Sequence, residues 1–483
     1  MRYRIIARLL GFLVISIALN MIGAMLWSLY FSEREWEHFL LTIAIAFVIG
    51  SGLVYLGRSR KEVSISHKEA LFMVSGGWFV AGLVGALPFY LSGAIPQYYD
   101  AFFETVSGFT TTGASILTNV EALPKGLLFW RSYTHWLGGM GIIVLFVALF
   151  PFLGVSGKKM YQFEVPGPEV GGLKPKIQSS AFILWKIYVG ISFAEIIALK
   201  LAGMPLFDSM CHTFGTMATG GFSTKNASIA FYPNPMIHII ITVFMVAAGA
   251  NFSLYYFLSR KNFMQVLHDT ELKTYLVIIL ISSLVFAFFL YNPVYYASFF
   301  AALNSASFNV VSIMTTTGYA TANTDTWPML LKIWLLILMF IGGCGGSTGG
   351  GIKVVRYVIL IKYVYAQIIN SYAPQRKFVI RVSHKPVSQA VIDQILSFFA
   401  LYVIIYALGV MVIASYGYNW PVTISSVAAC LNNIGPGFSS VGAIGNYAFM
   451  APFAKFFLAF YMIAGRLELF AVMIYFVPDF WKR

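Results

Sequence analysis

Four short strings of small, hydroxylated and glycine residues recur along this chain: "TTTGAS" at 110–115, "MATGGFS" at 217–223, "MTTTGYA" at 314–320 and "IGPGFSS" at 434–440. What they offer chemically is neutral oxygen, from backbone carbonyls and threonine hydroxyls. Carbonyl oxygens ringed around an axis replace the hydration shell of a monovalent cation. Aligned on the last glycine of each string, Gly113, Gly221, Gly318 and Gly437 fall together. Glycine alone takes positive φ without strain, so these residues would turn adjacent carbonyls toward the axis. Thr111, Thr112, Thr219, Gly220, Thr316, Thr317, Gly435 and Pro436 supply the flanking oxygens and spacing. The alternative is that small and hydroxylated residues simply pack helices closely. Four equivalent strings in equivalent contexts favour the ligand reading.

The elements that must position these strings are apolar. Of the 483 residues, 59% are hydrophobic and 10% charged, against about 25% charged in ordinary soluble domains. This composition indicates a polytopic membrane protein, and windows of roughly 20 apolar residues recur from end to end. The N-terminal apolar run is too long for a cleaved leader and reads as a retained span. After an opening pair of spans at about 9–30 and 38–57, one order repeats four times: long span, short apolar segment, string, long span. The chain divides accordingly into 1–68, 69–178, 179–272, 273–388 and 389–483. The short segments (98–109, 206–217, 296–314 and 421–433) are too brief to cross the bilayer and then return as extended chain. They read as re-entrant half-helices whose C-terminal ends, partially negative, face the axis.

The net charge of +14 does not point to nucleic acid, because the basic residues lie in clusters between spans. The clusters are Arg2/Arg4/Arg8, Arg58/Arg60/Lys61/Lys68, Lys158/Lys159/Lys174/Lys176, Arg260/Lys261/Lys273, the stretch from Lys353 to Lys385, and Lys482/Arg483. Under the positive-inside rule all are cytoplasmic, so each interval crosses the membrane an even number of times. Both termini are then cytoplasmic. Cys211, Cys344 and Cys430 have no metal-type spacing.

Two further features carry chemistry. The stretch "GGCGGSTGGG" at 342–351 interrupts the second long span of the third repeat, which runs over 329–372. Glycine-rich backbone does not hold a stable helix, so Gly345, Gly346, Ser347, Thr348, Gly349, Gly350 and the following Lys353 read as a loop below the strings. Arg466 sits in an apolar span, where an ionised side chain costs at least about 2.5 kcal/mol unless it faces protein or water. It would repel cations or pair with loop carbonyls, or else form a structural pair with Glu104 or Glu195. His135, His212 and His238 read as satisfied core residues and Arg131 as snorkelling. The segment "GVSG" at 154–157 has a nucleophile-like shape but no evident histidine partner, which leaves an intramembrane hydrolase as a remote reading.

With its four strings, "WRSYTHWLGGMGI" at 130–142, "GGCGGSTGGGIKVVR" at 342–356 and "AGRLELF" at 464–470, the chain resembles the Trk/Ktr/HKT superfamily of potassium transporters, in particular its bacterial TrkH branch. The resemblance implies an all-α polytopic membrane protein with four M1–pore loop–M2 repeats around a pseudo-fourfold pore, plus two N-terminal transmembrane helices. It implies potassium, with rubidium as a substitute, as the ion passed and no enzyme activity. It further implies a gating role for the 342–351 loop and Arg466, a homodimer in the bacterial inner membrane and a cytoplasmic nucleotide-binding subunit of the TrkA type. The stretch "YAPQRKFVIRVSHK" at 372–385 is a candidate docking surface for that subunit, and its charge is equally explained by orientation. A proton- or sodium-coupled symporter is the alternative within transport, but the strings contain no carboxylate and the repeats keep one orientation.

Overall fold

A computed structural model of the chain describes residues 1–58, 63–64, 66–141, 155–156, 177–375, 378–383 and 385–482. Two long helices, Tyr3–Tyr30 and Glu35–Leu56, form an antiparallel pair at the N-terminus. They approach closely because glycine faces glycine. A Cβ added to Gly11 would sit 2.6 Å from the Gly50 carbonyl oxygen, and one added to Gly50 would sit 2.9 Å from that of Gly11. Small residues at such crossings replace the hydrophobic drive that is absent in lipid.

Four outer helices follow: His67–Leu91, Ile177–Leu201, Thr270–Leu290 and Gln389–Ala414. All four are long and apolar enough to span a bilayer. The first starts at a capping box, in which the Ser66 hydroxyl accepts from the Glu69 N–H and the Glu69 carboxylate accepts from that of Ser66. Glu69 also accepts from the backbone N–H and guanidinium of Arg2, and Lys68 donates to the carbonyl of Lys482. Both chain ends and the start of the first repeat therefore meet on one face of the molecule.

Four short pore helices lie inside: Tyr98–Phe109, Leu206–Met217, Phe299–Met314 and Trp420–Leu431. Every residue from Ala101 to Phe109 is buried, unlike the lipid-facing outer helices. Such a helix is held by packing on all sides and not by one amphipathic face. The fourth is started by Asn419, whose side chain accepts from the Val422 N–H, with Pro421 in the first turn.

The inner helices depart from the sequence reading. Only the third was expected to be interrupted, yet the second breaks between Pro235–Ala248 and Phe252–Ser259 with a bend of 94°, and the fourth between Pro452–Arg466 and Phe470–Phe476 with a bend of 120°. The causes are local. Gly249 ends one helix and Asn251 caps the next. Glu468 and Leu469 take positive φ, which no continuous helix permits. The third inner helix is Met329–Phe340, then the glycine loop, then Val354–Tyr372. The first is a helix over Lys125–Gly139, and the chain from 142 to 154 lies outside the described residues. The Val155–Ser156 part of "GVSG" pairs in parallel with Val63–Ser64, and its glycines also lie outside.

Replacing Gly50 by Leu should force the N-terminal pair apart, at a cost of about 1–3 kcal/mol. Thermal unfolding of the detergent-solubilised protein checks this: Gly50→Leu is expected to unfold earlier, whereas Gly52→Leu, with nothing within 4 Å of its Cβ, should match the parent.

Candidate cation-binding site

All four pore helices stop by the same device. The second residue beyond each helix is left-handed: Thr111 (φ 55°), Thr219 (53°), Thr316 (62°) and Asn433 (55°). The following N–H turns back to the helix, Thr112 to Ser107 at 2.9 Å, and Gly220 to Gly215, Thr317 to Ser312 and Ile434 to Ala429 each at 2.8 Å. This is a Schellman closure, normally made with glycine. Holding threonine there costs roughly 1–2 kcal/mol per string, strain of the kind that surrounding structure must hold in place. Two residues after each of these positions the backbone is left-handed again, at Gly113 (φ 81°), Gly221 (81°), Gly318 (80°) and Gly435 (93°).

The fourth member is thus Gly435, where alignment on the last glycine had put Gly437. The Leu431 helix end sets the register, so the glycine four residues later is the counterpart. Gly437 lies two residues on, and its N–H donates to Val441. Four glycines, Gly113, Gly221, Gly318 and Gly435, line one cavity at this level, with Pro436 beside them.

The four strands close a ring. A Cβ placed on Gly113 would overlap the carbonyl oxygen of Gly220; on Gly221, that of Thr317; on Gly318, that of Ile434; on Gly435, that of Thr112. Each glycine faces the residue preceding the glycine of the next repeat, and the fourth returns to the first. Glycine is therefore required twice at these positions, for φ and for the contact. Four backbone carbonyls enclosing one axis can take the place of water around a dehydrated monovalent cation.

Side chains of the pore helices hold the outer part of each strand. Glu104 accepts from the Ile116 N–H (2.8 Å) and Ser115 hydroxyl (2.9 Å). His212 meets the Ser223 hydroxyl at 2.9 Å, Asn309 donates to Thr321 at 3.0 Å, and Ser425 accepts from the Phe438 N–H at 2.8 Å. Arg131 does not snorkel. It is buried, pairs with Glu104 at 2.7 Å, donates to the Ser223 carbonyl and lies 3.5 Å above the Phe222 ring. Its span begins at Lys125, and the pore helices surround it with protein instead of headgroups. His238 bonds the Tyr232 carbonyl, away from the ring.

Beneath the ring lie the loop and Arg466. Arg466 donates to the hydroxyl of Thr111 (3.1 Å), to the loop carbonyl of Thr348 (2.7 Å) and to the carbonyls of Gly138 (2.6 Å) and Gly139 (2.9 Å) at the end of the first inner helix. Of the carboxylates weighed against it, Glu104 is paired with Arg131, and Glu195 is buried in the second outer helix with no ion pair among the described residues. Thr348 donates to Met217 and Ala248, and the Gly350 N–H donates to the Thr316 hydroxyl at 2.7 Å. Lys353 is buried, with its ammonium on the carbonyls of Gly349 and Gly350, and is no part of a basic surface. Gly345, Gly346 and Ser347 make the turn facing the second inner helix, where the Gly346 carbonyl accepts from the Phe252 N–H at 3.0 Å. Glu271 escaped the sequence reading. At the start of the third outer helix, one of its oxygens accepts from the N–H groups of both Gly345 (2.7 Å) and Val355 (3.0 Å), the two shoulders of the loop. A carboxylate in the first turn of a helix looks like ordinary capping, and only the loop's return path reveals the second use.

Fold and site together define an all-α polytopic membrane protein of the cation-transport class. The chain belongs to the TrkH family: a family model described as cation transport protein matches residues 36–483. It is similar to the Trk system potassium uptake protein TrkH of Salmonella typhimurium, 38% identical over 487 residues and covering 100% of both chains. It is also similar to the Trk system potassium uptake protein TrkG of Escherichia coli K12, 34% identical over 482 residues and 99% of each chain. Among solved structures it matches the crystal structure of the potassium transporter TrkH from Vibrio parahaemolyticus, with a TM-score of 0.89, 33% identity and 100% coverage of both. These relatives are transport proteins and not enzymes.

If Glu271 ties the loop at both shoulders, Glu271→Ala should raise amide hydrogen exchange across 343–355 and leave 110–116 unchanged. Glu271→Gln keeps an acceptor and should fall between. Equal exchange in parent and Ala variant would remove Glu271 from this role.

Proposed function

We propose that this protein is a potassium-selective, gated pore that takes up potassium passively across the bacterial inner membrane, with both termini cytoplasmic. The observation that carries the reading is the closed ring of four glycine-to-carbonyl contacts among 112–113, 220–221, 317–318 and 434–435. Potassium is the ion named for its TrkH relatives, and rubidium is the nearest substitute in size and charge. Thr111, Thr112, Gly113, Thr219, Gly220, Gly221, Thr316, Thr317, Gly318, Gly435 and Pro436 form the filter in this reading, and Gly437 only its outer support. The units 69–178, 179–272, 273–388 and 389–483 each contribute one quarter of the pore, and 1–68 packs outside it.

The gate is the 342–351 loop with Lys353 and Arg466. Two unit charges about 6 Å apart repel by roughly 3 kcal/mol at an effective dielectric near 20, more than a hundredfold in ion occupancy. Arg466 at the underside of the ring is a barrier of that order, and it bonds the loop that would move. Following the family resemblance, the proposal includes a homodimer bound to a cytoplasmic nucleotide-binding subunit of the TrkA type. One observation favours the alternative of proton- or sodium-coupled symport: Glu195 is wholly buried in an outer helix, and among the described residues neither carboxylate oxygen makes a hydrogen bond. Reversal potentials in opposed potassium and proton or sodium gradients separate the two, since a passive pore reverses at the potassium equilibrium potential alone.

Two sets of variants in liposomes test the reading. Gly435→Ala should raise sodium flux relative to potassium by roughly tenfold, as a Cβ there meets both the wrong φ and the Thr112 carbonyl, whereas Gly437→Ala should shift it far less. Indistinguishable ratios for the two would count against the ring as filter. Replacing Arg466 by Lys, Gln and Ala should raise flux per folded protein in that order, since Lys keeps charge but loses the planar fork. Flat or falling flux along the series would rule out the barrier and leave a structural arginine.

A further inference from the structure

We propose that His135 is a positioning residue for the second filter strand, doing from behind what threonine side chains do for the first and third. The proposal rests on reading the carbonyl ring as the filter. In the first strand the hydroxyl of Thr112 meets that of Thr110 at 2.7 Å, and in the third Thr317 meets Thr315 at 2.7 Å. These pairs tie the residue before the glycine to the end of its own pore helix. The second strand has Ala218 and Gly220 at the same two positions and so has no hydroxyl to make the tie.

The missing volume is filled by the His135 imidazole. A Cβ added to Gly220 would lie 2.5 Å from the ring's Cγ and 2.7 Å from its Cε1. The ring is wholly buried, and each of its nitrogens has one partner: Nδ1 is 2.8 Å from the carbonyl oxygen of Gly108, and Nε2 is 3.2 Å from the N–H of Phe222. Only one form satisfies both contacts. Nδ1 must carry the proton to donate to a carbonyl, and Nε2 must be bare to accept from an amide. The imidazole also lies against the Phe222 ring, with centroids 4.1 Å apart, while Arg131 covers that ring at 3.5 Å.

His135 thus fixes the residues on both sides of Gly221, by volume at Gly220 and by hydrogen bond at Phe222, and anchors them to the first pore helix at Gly108. The carbonyl of Gly220 is the one that meets Gly113 in the ring. A side chain of the first repeat therefore sets the placement of a ligand contributed by the second.

The test is the sodium-to-potassium flux ratio in proteoliposomes, with Gly113→Ser as the filter reference. His135→Ala should raise the ratio roughly three- to tenfold, the range set by one buried hydrogen bond. His135→Gln, whose amide offers a donor and an acceptor at similar separation, should recover much of the parent ratio. Gly220→Thr alone should be disruptive because the imidazole occupies its space. Combined with His135→Ala it should be milder than the two effects multiplied. If His135→Ala gives no folded protein, Gly220→Ala presses on the ring from the strand side and is expected to raise the ratio likewise. A parent-like ratio in His135→Ala or Gly220→Ala, with Gly113→Ser shifted, overturns the inference and leaves the filter standing. A parent-like ratio in all three, Gly113→Ser included, removes the filter reading and the inference with it.

Discussion

An unpaired backbone carbonyl cannot face hydrocarbon, where each such group costs several kcal/mol, and the rest of this structure follows from that constraint. Every pore helix ends inside the protein and releases an extended strand. Among the described residues no backbone hydrogen bond joins one strand to the next, because the glycines approach carbonyl oxygens and not donors; side chains make the cross-links, Tyr319 to the Phe222 carbonyl and Asn433 to the Thr112 hydroxyl. The strands survive only by surrounding a shared polar axis, with their backs supported by side chains. The double left-handed turn at the end of each pore helix turns the chain back on itself within four residues. The threonine strain this entails is offset by burial and by the Schellman bonds.

The strings, the half-length helices, the fourfold order and the glycine loop were legible because they interrupt apolar periodicity. The register of the fourth string was not. "NNIGPG" contains two glycines, and the choice between Gly435 and Gly437 depends on where the preceding helix stops, a boundary decided by packing around Leu431 and the Asn433 turn. Breaks in the second and fourth inner helices were equally hidden. Gly249 alone inside a span is commonplace, and left-handed Glu468 and Leu469 are residues no propensity scale would nominate. Arg131 and Glu104 are 27 residues apart, so one read as a snorkelling charge and the other as a partner for Arg466 until folding joined them.

The breaks acquire meaning together. The first inner helix ends at Gly138–Gly139, the second at Ala248–Gly249 and the fourth at Arg466, and all of these residues bond either the loop of the third or Arg466 itself. Chain interruption thus exposes carbonyls at one level beneath the ring, and the loop and arginine satisfy them. Threonines of the ring strands form the roof of the same network, since Thr111 accepts from Arg466 and Thr316 from Gly350. The carbonyl ring and the loop are consequently not independent modules joined by a cavity. A displacement of the loop by one hydrogen-bond length changes the partners of residues at the end of two pore helices.

On the reading proposed above, that shared network bears on how a closed state can be both stable and reversible. Arg466 and Lys353 are cations that donate to backbone carbonyls, dipoles that could equally receive a permeating ion. Had carboxylates filled this role, a cation arriving from the filter would have been trapped, since an ion pair in a low-dielectric site is far stronger than a carbonyl contact. With carbonyls, the arriving ion and the protein cations compete for ligands of one kind, and opening amounts to exchanging guanidinium and ammonium donors for a mobile ion. Such an exchange has a small net free energy, because each carbonyl is satisfied before and after. A small difference is what the proposed regulatory subunit would have to supply, whereas breaking a buried carboxylate pair would demand about 3–5 kcal/mol at once. On the proposed reading, neutral oxygen in the filter and cationic side chains below it are one design, in which every ligand can be surrendered.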